Sequence, residues 1–283
     1  MASQREIRRR IGAVRNIKQI TRAMQFVAAS KLKRAQESTL SARPYSDKID
    51  EVLADLAAVL GADDHPLLAE REGGRRLIVV VTSDRGLAGP LNTNTIRFAA
   101  REITAHHDEL AVVTVGRKGR DAMRRSRVPI VAHFDAFGDR PTFADTLPLA
   151  RLVTDEFVAG TANRIDLIFS RFESTLVQRP TMDQLLPVQP APDTEGIPGN
   201  QFIFEPNAAT VLERILPRYV AARIFQAVLE GKASEESSRM VAMKNATENA
   251  EELIDDLTLS YNKVRQANIT REMIEIASGA QAR

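Results

Sequence analysis

Four histidines, two acidic doublets and two glycine loops are where this sequence concentrates residues capable of chemistry. His106 and His107 are adjacent, so on a helix they point in different directions and cannot share a metal ion. His65 sits beside a turn and His133 near a strand end. A metal or acid–base centre needs side chains that converge, such as two histidines one helical turn apart with a carboxylate between them. None of the four histidines has that company. Glu251-Glu252 and Asp255-Asp256 offer paired carboxylates, but doublets on a long helix read as its solvated face. With no cysteine in 283 residues, thiolate nucleophiles, disulfides and cysteine–metal sites are excluded.

The glycine loops are Ser83-Asp84-Arg85-Gly86-Leu87-Ala88-Gly89-Pro90-Leu91-Asn92 and Gly116-Arg117-Lys118-Gly119-Arg120. The first lacks the G-x-G-x-x-G spacing of a dinucleotide site, and Pro90 removes a backbone donor that a phosphate would use. The second has no Gly-Lys-Ser/Thr ending and is not a P-loop. Both read as tight strand-to-helix connections, so no cofactor, metal or catalytic residue is expected.

The elements around these loops alternate. Continuous apolar runs at 77–81, 111–115, 129–134 and 165–169 read as strands covered on both faces. Helical stretches at 94–107, 118–125 and 142–160 lie between them, and 185–188 and 202–204 read as further short strands. Strand–helix alternation predicts a mostly parallel, Rossmann-like sheet in a central α/β domain over 75–190.

The two ends differ from this centre. Residues 1–60 and 207–283 read as long helices, interrupted by a turn-rich break at 61–76. Residues 1–40 carry ten basic and two acidic side chains, a net +8; residues 235–276 carry five and nine, a net −4. Opposite charge favours pairing of the two helices over self-pairing of either. Ile7, Ile11, Val14, Ile17, Ile20, Met24 and Val27 recur at steps of three and four, as do Met240, Met243, Ala246, Ala250, Leu253, Leu257, Tyr261 and Val264. Such stripes predict an antiparallel coiled coil. A second amphipathic run follows at Tyr45, Ile49, Val52, Leu53, Leu56, Val59 and Leu60. Ser3 and Glu6 fit a capping box, Asn207 fits an N-cap, and Ser278-Gly279 fits a stop. Pro217 predicts a kink or restart.

The net charge is only +2, and no run approaches the roughly 18 apolar residues of a membrane span. The Arg-rich start resembles a targeting segment, but its apolar spacing continues unbroken to Met24 and Val27. A chain starting near Met1, in a bacterial-type cytoplasm, is therefore expected.

Several segments resemble one known family in order and along nearly the whole chain. Residues 17–24 (Ile-Lys-Gln-Ile-Thr-Arg-Ala-Met) and 27–32 are similar to the N-terminal signature of the gamma subunit of F-type ATP synthases. Ser83-Asp84-Arg85-Gly86-Leu87 resembles that family's first strand-to-helix loop, 239–247 the start of its C-terminal coiled coil, and 262–267 and 269–280 its tip. The resemblance implies a non-catalytic rotor shaft that couples transmembrane ion flow to ATP synthesis or hydrolysis. It implies partners as well: the alpha and beta subunits of a catalytic hexamer, epsilon, and a membrane ring of c subunits. Met24, Arg239, Arg265, Gln266, Thr270, Glu272 and Glu275 match family positions that touch the hexamer. Phe202, Phe204 and Glu205 match the foot that meets epsilon and the ring. A peripheral place on the cytoplasmic side of the cell membrane is implied, without direct insertion.

Ala88 departs from the family's frequent cysteine and Pro90 from a small flexible residue. The cysteine-containing insertion of chloroplast relatives is absent, which excludes their redox control. The rival reading is a basic coiled coil that binds nucleic acid or acts as a scaffold. It predicts interleaved aromatics and a basic partner helix, whereas Phe26 is the sole aromatic before Tyr45 and the C-terminal helix is acidic.

Overall fold

A computed structural model of the chain describes residues 3–59, 65–71, 73–105, 109–189, 205 and 207–281, leaving aside the side chains of 43, 46, 47, 50, 54, 55, 57–59, 275 and 278–281. The element order is α1 (Gln4–Val59), β1 (Arg75–Val81), α2 (Leu91–Ala105), β2 (Leu110–Val115), α3 (Arg117–Arg125), β3 (Ile130–Phe134), α4 (Phe143–Val158), β4 (Ala162–Phe172), β5 (Gln178–Leu186) and α5 (Ala208–Gln281). Two compact units result: Met1–Ala28 with Arg239–Arg283, and Ala29–Ser238. The division falls inside both long helices.

In the larger unit the sheet order is β3-β2-β1-β4-β5. Strands β1 to β4 run parallel, and β5 pairs with β4 antiparallel. The β-branched run of β1 is buried on both faces, because helices cover both. Leu77, Val79 and Val81 point into one core with α4 (Leu149, Val153, Phe157), α1 (Leu53, Leu56) and α5 (Leu212, Leu216, Ile224). Ile78 and Val80 point the other way, against Ala99 of α2 and Met123 of α3. The expected strand at 185–188 is the end of the longer β5, whose place at the end of the sheet order suits its half-exposed residues and Pro180. The expected strand at 202–204 lies outside the described residues.

A buried ion pair is built into this sheet. The Asp166 carboxylate is fully buried and accepts from Arg76 Nε at 2.6 Å, with Arg76 itself only 4% exposed. Arg164 reaches the same carboxylate at 3.1 Å from the surface side. Two guanidinium groups therefore compensate one buried anion.

The smaller unit is a helical hairpin. Partner numbers fall along α5 as they rise along α1: Gln4 and Arg8 meet Tyr261, Lys18 meets Glu251, and Thr21 meets Thr247. That order is antiparallel, as expected. The seam differs from the stripe read from apolar residues alone. On α1 it runs through Ile7, Ile11, Val14, Lys18, Thr21, Gln25 and Ala28, at alternating steps of four and three, while Ile17, Ile20 and Val27 are 52%, 59% and 55% exposed. On α5 it runs through Met243, Thr247, Ala250, Ile254, Leu257, Tyr261 and Val264, and Leu253 is exposed. A heptad seam tolerates polar residues where both helices supply partners, and here the middle of the seam is Lys18, Thr21 and Thr247.

The helix ends also refine the sequence reading. Asn207 caps α5, its side chain accepting from Thr210 N at 2.9 Å. Ser3 accepts from Glu6 N, but the Glu6 carboxylate turns to Arg10 at 2.7 Å, so only half of the capping box forms. Helix α5 does not restart at Pro217, and it passes Gly279 to end at Gln281. Tyr45, placed in an apolar run, is exposed beside Pro44.

Replacing Asp166 by alanine strands Arg76 in the core, and removing one partner of a buried pair costs about 3–5 kcal/mol. Urea denaturation of Asp166→Ala is expected to show that loss, with Asp135→Ala, an exposed control, within about 0.5 kcal/mol of the parent.

Candidate functional site: a helical hairpin with an apolar outer face

The first candidate on general grounds is the crevice at the carboxyl ends of the parallel strands, where open α/β sheets bind ligands. Here it is filled from within the same unit. Gly231, Lys232 and Glu235 of α5 line it together with Val81, Ser83, Asn92 and Ser170, leaving about 30 Å³, room for roughly one water.

The glycine loops are spoken for as well. The first-turn amides of α3 donate inward: Arg117 N to Asp84 Oδ1 at 2.9 Å, Lys118 N to Ser83 O at 3.2 Å, and Gly119 N to the Thr82 hydroxyl at 2.9 Å. Gly116 sits at φ +87, and a Cβ there would overlap the Thr82 carbonyl. This glycine serves close chain packing. Ser83, Arg85 and Asn92 close the other loop on themselves.

The histidines stay apart. His133 bonds Thr114 and Asp135, and His65 accepts from Leu67 N, its pKa lowered by burial against the milder opposing pull of Glu213. His106 and His107 lie outside the described residues. Among the described residues no group of histidines and acids is arranged to hold a metal ion.

The hairpin is the remaining candidate, and its chemistry is that of an interface. Gln4 and Arg8 donate to the Tyr261 hydroxyl at 3.0 and 2.9 Å, and the Arg8 guanidinium lies over the Tyr261 ring. Lys18 Nζ reaches Glu251 at 2.6 Å and, with Arg22 nearby, holds that carboxyl below the usual range. Glu251 is open to solvent, so the pair fixes register more than it stabilises. The Thr21 and Thr247 hydroxyls lie 2.7 Å apart, which brings the two backbones close.

Two apolar surfaces remain uncovered within this unit. Ile17, Ile20 and Val27 share one side of α1, and Phe26 is exposed on another. Beyond Tyr261, α5 runs on to Gln281, roughly twenty residues or 30 Å at 1.5 Å per residue. That stretch exposes Ile269, Met273, Ile274 and Ile276. Exposed apolar side chains gathered in this way point to an interaction site.

The family model for ATP synthase matches residues 3–282. ATP synthase gamma chains from Dehalococcoides mccartyi strain CBDB1 and Roseiflexus castenholzii are each 47% identical, covering 100% of this chain and 99% of each relative. The chain belongs to the ATP synthase gamma-chain family. Solved structures similar to it include the rotor of Euglena gracilis mitochondrial ATP synthase, with TM-score 0.67, 19% identity, and coverage of 94% of this chain and 98% of that one. Another is the Tetrahymena thermophila mitochondrial central stalk and c-ring, with TM-score 0.60, 22% identity, and coverage of 80% and 99%. At these identities the likeness concerns the fold.

The residues singled out from the family motifs fall into two groups. Met24 and Arg239 are half-buried in the hairpin, whereas Arg265, Gln266, Thr270 and Glu272 are exposed on the bare end of α5. The side chain of Glu275 lies outside the description. Glu205 is exposed, and Phe202 and Phe204 lie outside the described residues. Ile17, Ile20, Val27 and Leu253 escaped the sequence reading as surface groups, because their apolar character placed them in a seam.

A second ionic centre, in the α/β unit, sets an acid limit. Asp139 accepts from Lys31 at 2.7 Å and lies 3.7 Å from Lys232. The Lys31 hydrogen bond outweighs partial burial and lowers its pKa. Its stabilising effect is present above the unfolded aspartate value of about 3.9 and disappears as pH falls through the lower folded value. Between pH 7 and 5 the difference in melting temperature between Asp139→Asn and the parent is expected to stay constant, and to shrink below about pH 4. A calorimetric pH series checks this.

Proposed function

We propose that this chain is the central shaft of a rotary ATP synthase, coupling ion flow across a membrane to ATP synthesis or hydrolysis. The observation that carries this is the hairpin's exposed apolar side chains together with an α5 end on which Ile269, Met273, Ile274 and Ile276 are exposed among the described residues. A helix with these exposures requires a surrounding partner. In this reading the partners are the alternating alpha and beta subunits of the catalytic hexamer, with epsilon and the c-ring meeting the Glu205 region. The chain is a non-catalytic subunit of the complex, held at the cytoplasmic face of the cell membrane through its partners. Among the described residues no helix is long and apolar enough to cross a membrane.

The mechanism follows from shape and contact energy. Two antiparallel helices have no three-fold symmetry, so three catalytic subunits around them meet different side chains at any one angle. A contact that is stronger with one conformation of a subunit biases that subunit's conformational equilibrium, hence its nucleotide affinity. The same coupling works in reverse, because linkage is reciprocal. Ile269, Met273, Ile274 and Ile276 suit rotation against an apolar sleeve, since apolar contact is non-directional. Met24, Arg239, Arg265, Gln266, Thr270, Glu272 and Glu275 supply contacts that form and break as the angle changes. The rival nucleic-acid reading loses its phosphate rail where Lys18 is engaged by Glu251.

Co-expression with the catalytic subunits and purification through a tag on this chain tests the assembly. One copy for three catalytic subunits is expected, and a stable chain that captures none of them overturns the reading. For coupling, Arg239→Ala is expected to leave the fold intact and lower proton-driven ATP synthesis in vesicles about three- to tenfold, a loss of roughly 1 kcal/mol of angle-dependent contact. Unchanged synthesis removes Arg239 from the coupling contacts.

A further inference from the structure

Between Lys232 and Ser238, α5 carries six polar residues in seven, and five of these, 234–238, are buried. A helical hydroxyl ordinarily back-bonds to the carbonyl four residues earlier, as Thr39, Thr247 and Thr258 do here. These serines instead reach across to other elements. Ser234 donates to the Ser170 carbonyl of β4 at 2.9 Å, Ser237 to the Thr175 carbonyl of the β4–β5 turn at 2.7 Å, and Ser238 to the Ala88 carbonyl of the β1–α2 loop at 2.7 Å.

At 3.6 residues per turn the three serines share one side of α5, and Lys232 and Glu236 take the opposite side. There Lys232 Nζ lies 3.2 Å from Glu235, 3.4 Å from Glu236 and 3.7 Å from Asp139 of the β3–α4 loop. Asp139 is in turn held by Lys31 of α1 at 2.7 Å. The helix is thus gripped from opposite sides by polar contacts from strand β4 and three loops, one of them tied in turn to α1, all within the α/β unit.

We infer that this polar collar is the torque-bearing joint of the chain, with Ser234, Ser237, Ser238 and Lys232 as positioning residues that fix the rotational angle of α5 in its socket. The inference rests on the rotor reading above and adds to it where the load is carried. Apolar packing opposes twisting only through interdigitation, whereas turning α5 by one residue would strip the bonds of three buried serines and the Lys232–Asp139 contact at once. The joint lies where the ligand crevice of an open α/β sheet would be, and the polar groups that would bind a ligand there bind the helix.

The test uses the assembled complex with its hexamer fixed to a surface and a bead on the α/β unit. In the variant carrying Ser234→Ala, Ser237→Ala and Ser238→Ala, the angular variance of the bead during nucleotide-free pauses is expected to rise about twofold, and the ratio of proton-driven synthesis to detergent-assayed hydrolysis to fall about threefold. Val228→Ala, a cavity-forming change on the same helix, is the structural control. It is expected to lower the melting temperature while leaving both readouts at the parental value. Parental variance and ratio in the serine variant overturn the inference, as does an equal rise in the control. If the triple variant fails to assemble, Ser238→Ala alone is judged by the same two readouts. A parental complex that hydrolyses ATP without bead rotation overturns the rotor reading and the collar together.

Discussion

Antiparallel contact between α1 and α5 is the constraint from which the rest follows. Within the hairpin each helix is continuous and keeps one rotational phase toward its partner. On α1 that phase runs from Ile7 through Ile11, Val14, Lys18, Thr21 and Gln25 to Ala28. The residues of the seam are therefore selected by helical phase first and by hydrophobicity second. That is why Lys18 and Thr21 face the partner helix while Ile17 and Ile20 face out. Helix α5 serves three environments on one cylinder. Buried nearly all round from Tyr219 to Ser238, it keeps a half-buried seam to about Val264 and is exposed beyond that.

Polar burial is where this fold spends its stability. Asp166 in the sheet and the Lys232 cluster on α5 both place charge in closed surroundings, and such charge persists only with partners in place. Asp166 is tied to Arg76 of a neighbouring strand, and Lys232, besides Glu235 and Glu236 of its own helix, reaches Asp139 of the β3–α4 loop, so both groups act as ties between elements. Lys232 illustrates the balance: burial lowers its pKa, but the attraction of Glu235 and Glu236 outweighs burial and raises it. That contribution is present below the ordinary lysine value and fades only as pH rises beyond it.

Much of this was legible in the residues. The β-branched runs of β1, β2 and β4 and the helices between them appear close to where they were expected, because a strand covered on both faces has no polar alternation to confuse it. Strand β5 was missed over most of its length, since Gln178, Arg179 and Pro180 belong to an edge and carry no core signal. Glu235 and Glu236 were counted in the net acidic charge of the C-terminal helix, yet both are buried. Composition cannot separate a charge that faces water from one that faces Lys232 in a closed joint. The exposed apolar residues of α1 misled in the opposite direction. A sequence shows that Ile17 seeks an apolar surface and leaves open whether that surface belongs to the same chain.

The pairing of the two helices as one turning body can be measured directly, because the chain has no cysteine of its own. Thr21 and Thr247 are short side chains with hydroxyls 2.7 Å apart, within the reach of a disulfide once both become cysteine. Oxidised Thr21→Cys/Thr247→Cys complexes are predicted to form that crosslink within one chain and to retain proton-driven ATP synthesis. Absence of the crosslink, or loss of synthesis that returns on reduction, would contradict a shaft whose two helices move together.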